Sequence, residues 1–316
     1  MIHREEIGIV AVAWTPDRRS FLLAAATMAL AGCAPDQAGQ SLGDTPEPAV
    51  NAAAGIGSPP AAQATASPAT AGGPAAQPRT VLTRDEVTKT YAAQAAKYWG
   101  LEAPGVLTRL PPAAAGVTLT FDFCGGANGN GADLAILAVL RQLHIPATLF
   151  LNSRWTTANQ ALAKDLAGDP LFELANHGTS HRPLSVTGRS AYGIPGTRNP
   201  GEVYDEIMTN DAVLTALTGQ RPRFFRPGTA YLDEVSAQVV RSLDLIPVGF
   251  TINGDGGATF PAATVTREIS RARAGDIVIA HGNHPAGGTS PGLVRALAVM
   301  KDRGETFVPL PRTIST

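Results

Sequence analysis

From Val117 onward, short runs of β-branched and aromatic residues alternate with longer stretches of helical periodicity. The apolar runs fall at Val117–Phe121, Thr148–Leu151, Phe172–Ala175, Phe224–Arg226, Ile246–Thr251, Asp276–Ala280 and Thr306–Val308, and each reads as a strand. Between them, the patterns near Asp133–Leu143, Glu202–Leu217, Leu232–Leu243, Thr264–Arg273 and Leu293–Arg303 predict helices. Asn199-Pro200 marks the start of the second, because proline suits a first helical turn whose N–H groups have no partner anyway. A further helix begins at Thr83: Thr83 and Glu86 have capping-box spacing, and Val87, Tyr91 and Ala95 recur at helical intervals. Strands alternating with helices predict an α/β fold with a mainly parallel sheet and helices outside it. The number of strands favours a distorted (β/α) barrel over an open sheet. Residues 182–200, with Gly193, Pro195 and Gly196, read as a long loop on the rim of the site.

The first 80 residues have a different character. Arg18-Arg19 precedes an apolar run from Phe21 to Ala31, too short to cross a bilayer as a helix, and this reads as an export signal. The twin arginine resembles a Tat signal, and Leu30-Ala31-Gly32-Cys33 resembles a lipobox in which Cys33 carries the lipid. Residues 34–80 are rich in Ala, Pro, Gly, Ser and Thr. With almost no large apolar side chains, they cannot offset the entropy of ordering and should form a flexible tether. The expected organisation is an export signal with lipobox over 1–33, a disordered linker over 34–80, an N-terminal helix and connector over 81–114, and a catalytic domain over 115–316. The protein is then exported and lipid-anchored at the cell envelope, touching the membrane only through Cys33.

Across 316 residues the net charge is −1, and no Lys/Arg stripe appears, so a nucleic-acid partner is not expected. Only two cysteines occur. With Cys33 lipidated, Cys124 has no intramolecular partner and no disulfide supports the fold.

Candidate chemistry collects where apolar runs end. Glu-Leu-Ala-Asn-His-Gly-Thr-Ser-His (173–181) sets His177 and His181 four residues apart, and two imidazoles can share one divalent cation. Thr-Phe-Asp-Phe-Cys-Gly-Gly (120–126) lies upstream; Phe-Phe-Arg-Pro-Gly-Thr (224–229) and Gly-Asp-Ile-Val-Ile-Ala-His (275–281) lie downstream. Polar residues just after strands are where a parallel α/β barrel carries its active site.

In that order the blocks resemble the polysaccharide deacetylases of the NodB-homology type, carbohydrate esterase family 4 (CE4), over roughly residues 115–310. The resemblance implies the distorted barrel of that family and hydrolysis of N-acetyl groups on a peptidoglycan- or chitin-like glycan. It also implies a divalent metal, zinc first among the candidates, on His177 and His181. Asp122 takes the position of the family's general base, Arg226 that of the residue orienting this base, and His281 that of the acid protonating the departing amine. Asp255 matches loosely the residue that holds the catalytic histidine; the tryptophan of that motif is absent, and Asn253 is a rival match. The oxyanion is expected on the metal and on backbone N–H groups near Cys124 to Gly126.

One departure matters. The family's first motif carries a second Asp as metal ligand, and here that position is Phe123. Asp122 is therefore assigned to the ligand set as well, with Cys124 and Asp255 as its rivals; a continuing strand turns Asp122 and Cys124 to the same face. Two other readings stay open: a hydrolase of the same fold acting on another C–N or ester bond, and a tethered carbohydrate-binding pseudoenzyme.

Overall fold

The computed structural model describes residues 81–311. The export signal, Cys33 and the linker expected over 34–80 lie outside the described residues. Among the described residues, seven strands, β1 (Thr118–Phe123), β2 (Ala147–Leu151), β3 (Phe172–Asn176), β4 (Phe224–Phe225), β5 (Ile246–Pro247), β6 (Ile252–Asn253) and β7 (Ile277–His281), form one sheet. Their order is β5-β4-β3-β2-β1-β7-β6, and every neighbouring pair is parallel. The helices are α1 (Arg84–Tyr91), α2 (Leu134–Leu143), α3 (Ser153–Ala158), α4 (Gln160–Gly168), α5 (Pro200–Thr218), α6 (Glu234–Ser242), α7 (Ala262–Ser270) and α8 (Thr289–Asp302). The expected capping box at Thr83 and Glu86 is present in full at the start of α1. Asn199 caps α5, with Pro200 at its first turn.

β1 is buried along its whole length because both of its faces have work to do. Leu119, Phe121 and Phe123 pack with Ile136, Leu137 and Leu140 of α2 and with Leu293 and Leu297 of α8. Truncating one of these leucines to alanine costs about 2–5 kcal/mol by loss of transfer energy and cavity formation. The alternate residues Thr118, Thr120 and Asp122 turn the other way, into the barrel. A second apolar cluster joins Val87 of α1, Val203 and Ile207 of α5, and Val235 and Val239 of α6.

The single strand expected over Ile246–Thr251 is two short ones at opposite edges of the sheet. β5 pairs with β4, and β6 pairs with β7. Residues 248–251 therefore span the gap between the two edges, which is how the barrel closes. Pro247 has no N–H to continue a ladder, and the carbonyls of Val248 and Gly249 turn inward to accept from the Arg226 guanidinium at 3.2 and 2.9 Å. The strand expected at Thr306–Val308 is reduced to one bridge, Val117 to Phe307. Helices α3 and α4 were not expected. Two threonines and a break at Asn159 hide their periodicity, and α3 depends on the Asn152 side chain accepting from Arg154 N at 3.1 Å.

Candidate active site

The site gathers at the C-terminal ends of the strands, the usual place in a parallel barrel. Asp122, near the end of β1, is register-paired with His281, the last residue of β7. Arg226 follows β4 and is fully buried. Its Nη1 donates to Asp122 Oδ1 at 2.7 Å and to Thr120 Oγ1 at 2.9 Å, and its guanidinium lies 4.2 Å from the centre of the Phe150 ring. With Nε donating to Val248 and Nη2 to Gly249, the arginine is held as a rigid plug beneath the carboxylate. Burial pushes the Asp122 carboxyl up, but Arg226, helped by His177 and His281, outweighs it and holds the group below the usual carboxylate range. Asp122 is thus an anion at neutral pH with one oxygen committed to Arg226.

His177 follows β3. Its Nδ1 meets the Arg226 carbonyl at 2.9 Å, which fixes the ring and turns Nε2 toward Cys124 and Asp122. That Nε2 is 3.6 Å from Cys124 Sγ and 3.6 Å from Asp122 Oδ2. The His181 ring stands nearly perpendicular to that of His177, 5.0 Å away. Three donor atoms, one each from Cys124, His177 and His181, lie within 4.8 Å of one another. Asp122 is not in that group. Ligand atoms around a tetrahedral zinc stand about 3.5 Å apart, so this donor set needs only a small contraction to hold an ion. Two imidazoles and a thiolate suit zinc and other borderline metals far better than magnesium or calcium. Burial would raise the Cys124 thiol, but hydrogen bonds with His177 and His181 outweigh it and bring it well below its ordinary value. His177 moves the opposite way: burial would lower it, and Asp122 and Cys124 raise it. Each group contributes to the other's shift: the hydrogen bond between them lowers the Cys124 thiol and raises His177.

His281 is held from behind by Asp255. The Asp255 carboxylate accepts from the His281 ring Nδ1 at 2.9 Å, from its backbone N–H at 2.7 Å and from Thr289 Oγ1 at 2.9 Å. Nε2 is the nitrogen Asp255 leaves unengaged. Burial lowers the imidazole's proton affinity, and Asp255 more than compensates, raising it well above the ordinary histidine value. Asn253, the rival for this position, instead accepts from Gly256 N at 2.9 Å and fastens the turn.

Two of the backbone donors expected for an oxyanion are already committed. Gly125 N donates to Gly129 O at 3.1 Å, and Gly126 N donates to Asn130 Oδ1 at 2.8 Å. Both belong to the loop's own closure.

Several supporting residues lie outside the sequence motifs. Glu206 of α5 is buried and accepts from the backbone N–H groups of Ser180 and Arg182, clasping the loop that carries His181. His181 itself has φ 61°, and Gly228 packs so closely on its backbone that a Cβ there would stand 2.3 Å from the His181 carbonyl carbon. Asn210, one turn beyond Glu206, bonds Asn176 Oδ1 at 2.8 Å, and Asn152 Nδ2 donates to the carbonyls of His177 and Gly178. The spacing of Glu206 and Asn210 on one helical face was the available signal. A cleft of about 710 Å³ opens over Asp122, Cys124, His181 and His281, and His284 stands on its wall.

Residues 110–248 match the polysaccharide deacetylase family model. A solved CE4 family pseudoenzyme from Bacillus anthracis shares 22% identity over 65% of this chain and 67% of its own, with a TM-score of 0.54. A solved peptidoglycan N-acetylglucosamine deacetylase shares 23% over 66% of this chain and 91% of its own, with a TM-score of 0.55. The fold is that of the CE4 family. Among sequence relatives, a peptidoglycan-N-acetylglucosamine deacetylase of Bacillus cereus is 25% identical over 208 residues, 63% of this chain and 68% of that protein. The uncharacterized protein YlxY of Bacillus subtilis is 23% identical over 177 residues; the match spans 56% of this chain but only 51% of that relative. The family match takes in Asp122, Cys124, His177, His181 and Arg226, whereas Asp255 and His281 lie beyond it.

Proposed function

We propose that this domain is a metal-dependent deacetylase of N-acetylated glycans of the peptidoglycan or chitin kind. The observation that carries the reading is the meeting, in one cleft, of an arginine-held carboxylate, an aspartate-held histidine and a Cys-His-His donor cluster. His177, His181 and Cys124 are the residues to hold the cation, which when bound would polarise the acetamide carbonyl and acidify water. Asp122 accepts the proton of the attacking water, and Arg226 keeps that carboxylate ionised and aimed. As the C–N bond breaks, His281 gives its proton from Nε2 to the departing sugar amine, while Asp255 stabilises the imidazolium. Water supplies the new C–O bond, so acetate and a free amine leave.

The rival is a glycan-binding protein without turnover. Phe123, where the family's motif carries a metal-binding Asp, favours it. Cys124 supports the enzyme instead, because it offers an anionic donor one residue further on. Anchoring at the envelope through Cys33 belongs to the same proposal and rests on Arg18-Arg19 and the Leu30–Cys33 block.

The test is acetate release from a soluble N-acetylglucosamine oligomer by zinc-loaded protein. Asp122→Asn should cut the rate by about a hundredfold or more. Protein carrying stoichiometric metal and binding the oligomer, yet releasing no acetate, would defeat the deacetylase in favour of its rival.

A further inference from the structure

Tyr192 is 75% exposed, more than any other large apolar side chain among the described residues. It occupies a two-residue turn closed by Ala191 and Ile194, whose backbones exchange hydrogen bonds of 3.2 and 2.9 Å. Both central residues have positive φ, 52° at Tyr192 and 76° at Gly193, the backbone of a type I′ turn. Asparagine suits the first of these positions; a tyrosine there is strained, and its ring gains little burial in return. Folding alone gives no reason for the residue.

The ring is nevertheless held in place. It meets Tyr231 edge-on, with centroids 5.4 Å apart and planes at 88°, and Tyr231 lies 5.8 Å from Trp99. The Arg189 guanidinium sits over the Trp99 ring at 5.2 Å. The loop beneath is fastened as well. Thr197 Oγ1 exchanges 2.7 Å bonds with the backbone of Ser185, and the Asp233 carboxylate accepts from Val186 N at 2.7 Å. Tyr192 and Ile194 border the same cleft as Asp122, Cys124 and His281.

We propose that Tyr192, backed by Tyr231 and Trp99, is a stacking platform for a sugar ring of the glycan chain other than the one whose amide reacts. A pyranose offers a face of C–H groups ringed by hydroxyls, and an aromatic ring with a polar tip matches both parts. A rigid platform also binds with little ordering cost, which is what a fastened loop provides. The site would make the protein selective for oligomers over single sugars. The inference rests on the deacetylase reading for the identity of the chain, but not for the event of binding.

The test uses the full chain, a soluble N-acetylglucosamine pentamer and the monomeric sugar. Calorimetry in the Asp122→Asn background reads binding without turnover. Tyr192→Ala should weaken pentamer binding about tenfold, leave the monomer unaffected, and raise KM for the pentamer much more than it alters kcat. Tyr192→Phe should keep most of the pentamer affinity, because the ring does the stacking and the hydroxyl adds at most one hydrogen bond. Equal pentamer affinity in Tyr192→Ala, or no pentamer binding by the parent protein, overturns the platform. Pentamer binding that depends on Tyr192 without any acetate release keeps the platform and defeats the deacetylase; acetate release indifferent to Tyr192 does the reverse.

Discussion

The rings of Phe123 and Trp155 pack with centroids 4.6 Å apart, on the face of β1 opposite to Asp122. Gly282 closes over the same ring, where a Cβ would stand 2.2 Å from it. The position at which the resembling motif would carry a second carboxylate is thus a core position in this chain. Phe123→Ala should cost about 3–5 kcal/mol in urea denaturation. Phe123→Asp should cost at least as much, because it buries a charge among apolar side chains, and should not improve metal uptake. A stable Phe123→Asp domain with tighter metal binding would show that the strand end can turn this side chain into the cleft.

Arg226 carries a second stability prediction. Its donors serve Asp122, Thr120, Val248 and Gly249, and it spans the gap at which the barrel closes. Arg226→Met leaves the Asp122 charge and two inward carbonyls without partners, and should destabilise by about 3–5 kcal/mol. Lysine keeps the charge but not the fork, so Arg226→Lys should fold better than Met while losing rate. Thermal unfolding beside acetate release checks both; an Arg226→Met domain as stable as wild type sinks the plug.

The Asp255–His281 pair fixes the sign of a pH effect. His281 is raised in the folded protein, so its contribution is complete below about pH 6.5 and fades as pH climbs through the higher folded value. Asp255 is depressed, burial notwithstanding, by His281 and Thr289; its contribution is present above about pH 3.9 and is lost as pH falls through the lower folded value. Asp255→Asn should therefore lower the melting temperature most across the neutral range and least at both extremes. It should also move the alkaline fall-off of activity to lower pH. An unmoved alkaline limb would mean that His281 is not the acid.

These relationships differ in how far the chain itself disclosed them. The apolar run ending at Asp122, the histidine spacing and the run ending at His281 are local patterns, and local periodicity places them at strand ends. That Cys124 shares a face with Asp122 also follows from alternation along a strand. Glu206 and Asn210 were hidden because their partners, Ser180, Arg182 and Asn176, lie more than twenty residues away in sequence. The broken strand at 246–253 was hidden for another reason: only closure of the barrel decides which sheet edge each half joins.

As candidates for a third metal ligand in the proposed site, Asp122 and Cys124 differ sharply in geometry. Asp122 has one oxygen held by Arg226 and the other 3.6 Å from His177, whereas Cys124 converges with both histidines. Asp122→Asn should therefore retain its metal and lose turnover by about a hundredfold or more. Cys124→Ala should lose metal affinity by more than the roughly 10- to 100-fold typical of outer partners, with turnover falling in step. Cobalt reports the ligand directly: the substituted parent protein should show a thiolate-to-cobalt charge-transfer band, and Cys124→Ser should not. Cys124→Asp should restore an anionic donor but shift preference from zinc toward manganese, because a carboxylate is the harder ligand. An Asp122→Asn domain stripped of metal, beside a Cys124→Ala domain with full metal and no change in the cobalt spectrum, would return the third position to Asp122.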